Sequence, residues 1–202
     1  MEALLAEMQD RLPISNNQYP ISTIYIGGGT PSTLQVEHLQ TILETIRRKA
    51  KGEKQEITLE ANPGDITPEK ARAWRELGIN RLSIGVQSFD DELLQLIGRR
   101  HNAEQARQAV ATAQAAGFDN ISIDLMYALP SQTMQQWQSD VAQALQLGVQ
   151  HISSYGLIYE EGTVLTTLLD HGVVEAVDEE VEMQMYDYLV EQLTANGYIH
   201  YE

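Results

Sequence analysis

Several side chains able to do chemistry stand where short apolar runs give out. Gly27-Gly28-Gly29-Thr30 follow the run Ile24–Ile26, and Glu60 with Asn62 follow Ile57–Leu59. Gln87 and Ser88 end Leu82–Val86, Asp124 lies at the end of Ile121–Leu125, and Tyr155 in His151–Leu157 precedes Glu160 and Glu161. Carboxylates such as Glu60 and Asp124 can accept hydrogen bonds from ribose hydroxyls or an amino group, and the Gln87 amide can both donate and accept. Three glycines let a ligand approach bare backbone, and the amides after them suit an anion or a carboxylate. No Gly-Lys-Ser/Thr follows, so the turn is not a phosphate loop. Each feature also has a plain structural reading: a tight turn, or an acid tying down a loop amide.

Arg99, Arg100 and His101 follow the short helical pattern Asp90–Ile97. A guanidinium there can grip a carboxylate in a bidentate fork, and one of the two arginines is expected only to face solvent. His101 reads as a loop hydrogen-bonder or a ligand. His38, His151, His171 and His200 show no metal-site spacing. Met183 and Met185 read as core-facing filler.

The elements that must position these groups follow from periodicity. The apolar, β-branched runs suit strands of a parallel sheet buried on both faces. Between them, Val36, Leu39, Leu43 and Ile46 share one helical stripe, as do Ala106, Ala109, Val110 and Ala113, and then Trp137, Val141, Ala144 and Leu145. Gly78, Gly117, Gly148 and Gly197 sit where a helix C-cap glycine is wanted, and Thr67-Pro68 and Asp90-Asp91-Glu92 read as helix starts. The order is a helix, then five strand–helix units, with a last helix near Glu179–Ala195. Polar groups at the same end of five successive strands fit a β/α barrel better than the single crevice of a doubly wound sheet. Five units fall short of eight, so the barrel is expected to be open or incomplete.

Composition sets limits. The chain has 202 residues, enough for one domain, and no linker divides it. A formal net charge of −16 argues against nucleic acid or an anionic membrane as partner. The one dense basic stretch, Arg47, Arg48, Lys49, Lys51 and Lys54, reads as a solvated helix C-terminus. No apolar run reaches the roughly 20 residues of a membrane span, so a cytoplasmic location without membrane insertion is expected. There is no cysteine, which removes disulfides, thiol nucleophiles and cysteine-ligated zinc or iron–sulfur sites from these residues.

Together the motifs IYIGGGTPSTL, ITLEANPGD, INRLSIGVQSFDDELLQLIGRRH, ISIDLMYALPSQT and HISSYGLIYEEGT run through nearly the whole chain. In that order they resemble the radical S-adenosylmethionine family that contains oxygen-independent coproporphyrinogen III oxidase and the HemW-type haem chaperone. The resemblance implies an α/β, TIM-like partial (β/α)6 barrel. It also implies an S-adenosylmethionine site, here Gly28, Gly29, Thr30, Glu60, Gln87, Arg99, Asp124 and Ile158. Arg99 would face the methionine carboxylate, and Glu60 and Asp124 the amino group and ribose hydroxyls. GRRH, VQSF and the HIS-x-Y-x-L-x-x-E-x-GT segment lean to the haem-chaperone branch, which binds haem and passes it to an acceptor protein. The oxidase branch instead decarboxylates porphyrinogen propionates by radical chemistry. Against the family, Met1 falls inside the first helix, and the first strand with its Cys-x3-Cys-x2-Cys loop has no counterpart. GYIHYE stops where relatives continue into a domain with a His-Asn-x-x-Tyr-Trp segment. Residues 1–202 are therefore expected to be one incomplete barrel domain, a fragment whose parent holds the 4Fe–4S cluster and haem. A cluster-free S-adenosylmethionine-binding module is the alternative of another class.

Overall fold

Strand-forming and helix-forming patterns alternate along the chain, and each becomes an element of the expected type. The computed structural model describes residues 1–12, 21–49 and 55–201. The elements are α1 (Glu2–Arg11), β1 (Thr23–Ile26), α2 (Val36–Lys49), β2 (Glu56–Ala61), α3 (Pro68–Glu76), β3 (Arg81–Gln87), α4 (Asp91–Leu96), α5 (Ala103–Ala115), β4 (Ile121–Tyr127), α6 (Met134–Gln146), β5 (His151–Gly156), α7 (Val164–Asp170) and α8 (Glu179–Ala195). Thr67 caps α3 by accepting from the Lys70 amide, and Asp90 caps α4 through the amides of Glu92 and Leu93. Gly78, Gly117, Gly148 and Gly197 all take positive φ just past a helix. Of the basic stretch, Arg47 reaches the Leu77 carbonyl at the end of α3 (2.5 Å), and Lys51 and Lys54 lie outside the described residues.

All strand pairs are parallel and the order is β1-β2-β3-β4-β5. Strands that succeed one another without reversal, each returning through a helical crossover, wind as a barrel does. A doubly wound sheet would reverse its order at a switch point, and none occurs among the described residues. The fold is an open, partial β/α barrel.

The strands were expected to be buried on both faces; β2, β3 and β4 largely are, whereas Tyr25 of β1 and Tyr155 of β5 are exposed, and one of the two faces is polar. Alternate residues point to opposite faces. Ile24, Ile57, Leu59, Leu82, Ile84, Val86, Ile121, Ile123 and Leu125 share the buried core with Leu39, Leu43, Trp74, Val110, Trp137 and Val141 from the helices. The intervening residues are Tyr25, Thr58, Glu60, Arg81, Ser83, Gly85, Gln87, Ser122, Asp124, Ser153 and Tyr155. They bond one another across strands: Arg81 donates to Thr58 (3.4 Å), Ser122 pairs with His151 (2.7 Å) and Tyr25 donates to Glu60 (2.9 Å). A closed barrel fills this space with bulky branched side chains. Here it is polar, and Thr58, Ser83, Gln87 and Ser122 are buried in it. A second correction concerns Met183, which is exposed at the surface of α8, whereas Met185 is buried as expected.

Candidate functional site

At the C-terminal end of β1 the chain turns through glycine. Gly28 and Gly29 have φ of 80° and 64°, a region glycine enters freely, and a Cβ on either would meet nothing within 4 Å. Their backbone is open. Gly27 is crowded for another reason: a Cβ there would lie 2.7 Å from the Glu60 carboxyl carbon and from the Tyr25 ring, so these side chains would have to shift. Glu60 fills that space and spends both oxygens on β1 and its turn, accepting from Tyr25 Oη (2.9 Å) and from the Gly28 amide (3.0 Å). The acid therefore shapes the glycine turn as well as standing beside it.

β3 contributes the next group. Gln87 is at φ 70°, rare for a residue with a side chain. Its Oε1 accepts from Tyr155 Oη (2.9 Å), tying β3 to β5. Arg99, on the connection from α4 to α5, reaches back over Gly85 and donates from Nη2 to the Gly85 carbonyl (2.7 Å) and to Asn62 Oδ1 (3.0 Å). A Cβ on Gly85 would sit 3.0 Å from that Nη2 and 3.1 Å from Gln87 Nε2, so this glycine is the floor under both groups. Burial pulls the Arg99 guanidinium below its usual range, yet an arginine stays charged. Its bonded partners are neutral, and among the described residues no carboxylate forms an ion pair with it.

Asp124 on β4 completes the group. Burial, followed by the charge of Glu60, raises its carboxyl to about 6, while a long bond from Ser83 Oγ (3.4 Å) and the Arg99 charge oppose the rise. The Tyr155 hydroxyl is also pushed up, first by burial and then by the Asp124 charge.

Gly29, Thr30, Glu60, Gln87, Arg99 and Asp124 line one cavity of about 130 Å³. That is smaller than the roughly 300 Å³ at which ligand clefts usually begin, so these residues line one wall of a shallow recess. Gly28 does not line it, although its amide bonds Glu60, which does; Ile158, 78% exposed on the connection after β5, does not line it either. Arg100 is exposed, and His101 Nε2 bonds the Val86 carbonyl (3.0 Å), so the histidine acts as a loop hydrogen-bonder. A larger groove, about 1100 Å³, runs along the outer edge of β5 against α8, away from every one of these carboxylates. Sequence reasoning passed over Gly85, Ser83 and Tyr25 as site residues. Their signal was parity: each lies an even number of positions from Gln87 or Gly27 and so shares the inner face.

Residues 5–144 match the model of the radical SAM superfamily. The chain belongs to that superfamily. It is 41% identical to the haem chaperone HemW of Lactococcus lactis, covering 100% of this chain and 52% of that one. It is 38% identical to the haem chaperone HemW of Bacillus subtilis, over 100% of this chain and 54% of the relative. The chain thus spans about half the length of the curated relatives it matches. Among solved structures, Escherichia coli coproporphyrinogen III oxidase (HemN), described as a radical SAM enzyme, superposes with a TM-score of 0.84 at 25% identity, over 98% of this chain and 45% of that one. No helix of the described residues is long and apolar enough to cross a membrane.

Membership in the superfamily implies S-adenosylmethionine and a 4Fe–4S cluster, and these residues treat the two differently. S-adenosylmethionine carries a carboxylate, an amino group, a sulfonium and ribose hydroxyls. The wall offers an arginine without an acidic partner, two carboxylates and open glycine backbone, so it fits. The cluster requires thiolates, and a chain with no cysteine supplies none.

Proposed function

We propose that residues 1–202 are one barrel domain that holds S-adenosylmethionine in a haem-handling protein of the HemW type. The observation that carries this reading is the convergence of Glu60, Gln87, Arg99 and Asp124 on one cavity beside the open glycine turn. Arg99 grips the methionine carboxylate, and Asp124, ionised above about pH 6, takes the amino group or the ribose hydroxyls. Gly28, Gly29 and Thr30 offer backbone to the ligand, and Gln87 supplies a neutral donor and acceptor. Ile158 would contribute an apolar contact from the connection after β5. The bound cofactor would supply a sulfonium from which a carbon group can leave. These residues bind and orient it.

The haem branch rests on likeness to proteins named haem chaperones over the whole of this chain. Haem as cargo, an acceptor protein and a cytoplasmic setting belong to this reading. The fold match to coproporphyrinogen III oxidase supports porphyrin chemistry as the second reading. Calorimetry of this chain with S-adenosylmethionine tests the pocket, with an expected Kd at or below about 1 mM, or −4 kcal/mol. A folded chain that binds nothing at that level would sink the reading. An optical titration with haemin separates the branches. In a full-length parent that carries the cluster, saturable haemin binding without turnover favours the chaperone, and anaerobic turnover of coproporphyrinogen in a separate assay favours the oxidase.

A further inference from the structure

Gln87 holds a backbone conformation that a side chain disfavours, and such positions persist only where their surroundings over-determine them. The surroundings here reach across the sheet. Ser88 and Phe89, the next two residues, are buried, and both are bound by Asp140 on α6, which is 1% exposed. Ser88 Oγ donates to Asp140 Oδ2 (2.7 Å), and the Phe89 amide donates to Asp140 Oδ1 (2.7 Å). Ser88 Oγ in turn accepts from the Asp90 amide (3.0 Å). Asp90 Oδ1 caps α4, and its Oδ2 accepts from Gln136 Nε2 (3.0 Å), one turn before Asp140 on α6. At the near end the Ser88 amide bonds the Val86 carbonyl (3.0 Å), which His101 also engages. The tight turn at Gln87 is thus clamped on both sides.

Asp140 touches neither the cavity nor any ligand position, and no cation pairs with it among the described residues. Burial raises its carboxyl to about 6, so keeping it ionised at neutral pH works against stability. A buried acid without a cation is a poor device for holding a fold together, but two short bonds to one turn make it a good device for aiming that turn.

We infer that Asp140 is a positioning residue, which fixes the left-handed backbone of Gln87 and so the direction of its amide in the cavity. This rests on the reading of that cavity as the S-adenosylmethionine site. The test compares Asp140→Ala, Asp140→Asn, Gln87→Ala and the double variant Asp140→Ala/Gln87→Ala, by calorimetry with S-adenosylmethionine at pH 7.5 and by amide hydrogen exchange. Asp140→Ala should weaken binding about tenfold, the scale of one lost charge-assisted hydrogen bond. Asp140→Asn, which keeps an acceptor for Phe89 and a polar contact to Ser88, should stay within about twofold of the parent. Because Asp140 acts through Gln87, the double variant should bind no worse than Gln87→Ala alone. Unchanged affinity in Asp140→Ala, or losses that multiply in the double variant, would overturn the inference. If the parent chain binds no S-adenosylmethionine, the cavity reading fails, and exchange alone decides. The Phe89 and Asp90 amides should then exchange about tenfold faster in Asp140→Ala while those of Leu82 to Ile84 do not change. Equal exchange at Phe89 and Asp90 would overturn it.

Discussion

Ile121, Ile123 and Leu125 of β4 point among the helices and are at most 1% exposed, while Ser122 and Asp124, one residue away, turn to the opposite face and bond to β5 and β3. The same contrast runs through β2 and β3. On the helix side, contact is non-directional and its strength grows with apolar area, so size and shape matter most. On the inner side Tyr25, Glu60, Ser83, Gln87, Ser122 and Asp124 are each held by a bond of fixed direction, and the strands carry serine, threonine and glycine where a closed barrel would carry valine or isoleucine. One face holds the protein together. The other presents chemistry at some expense to stability, because Asp124 is buried without a full ionic partner.

The contrast can be tested by substitutions on neighbouring residues, in order of expected effect. Ile123→Ala should lower unfolding free energy by about 2–5 kcal/mol in urea, whereas Ser122→Ala should lower it by only about 1 kcal/mol. Equal losses would mean that the inner face is also structural. Arg99→Ala should weaken S-adenosylmethionine binding by about 1.5–3 kcal/mol, the scale of a charge-assisted bond, with far less effect on folding. Unchanged affinity would remove Arg99 from the site.

Asp124→Asn tests the inner face in the opposite sense. The folded carboxyl sits at about 6 and the unfolded one near its ordinary value, about 3.9. The unfolded chain therefore gives up its proton first, and this group makes stability fall as pH rises from about 4 to about 6, with no further change above. Asp124→Asn should be more stable than the parent by about 1–3 kcal/mol at pH 7.5, an advantage that disappears below about pH 4. Its ligand affinity should fall, and that of the parent should rise as pH passes upward through about 6. The smallest effect is expected for Gly85→Ala, whose methyl must displace Arg99 and Gln87 by a few tenths of an ångström. Binding should weaken about fivefold, near 1 kcal/mol, and stability should barely change.

Much of this architecture was readable along the chain. The strand–helix alternation, the caps at Thr67 and Asp90, the glycine stops and the last helix at Glu179–Ala195 all depend on residues within about four positions of one another. The polar strand ends are local signals of the same kind. What lay beyond reach was which partner each polar group takes. Glu60 binds the Gly28 amide 32 residues away, Tyr155 binds Gln87 across 68, and Asp140 binds Phe89 across 51. Those pairings depend on parallel register and on the irregularity between Ile84 and Gln87, where β3 slips against β4. Local patterns choose the elements because a helix turn or a strand pleat repeats over a few residues. The site is set by the docking of whole elements, and a one-residue change of register would turn Glu60 and Asp124 from the inner face into the core.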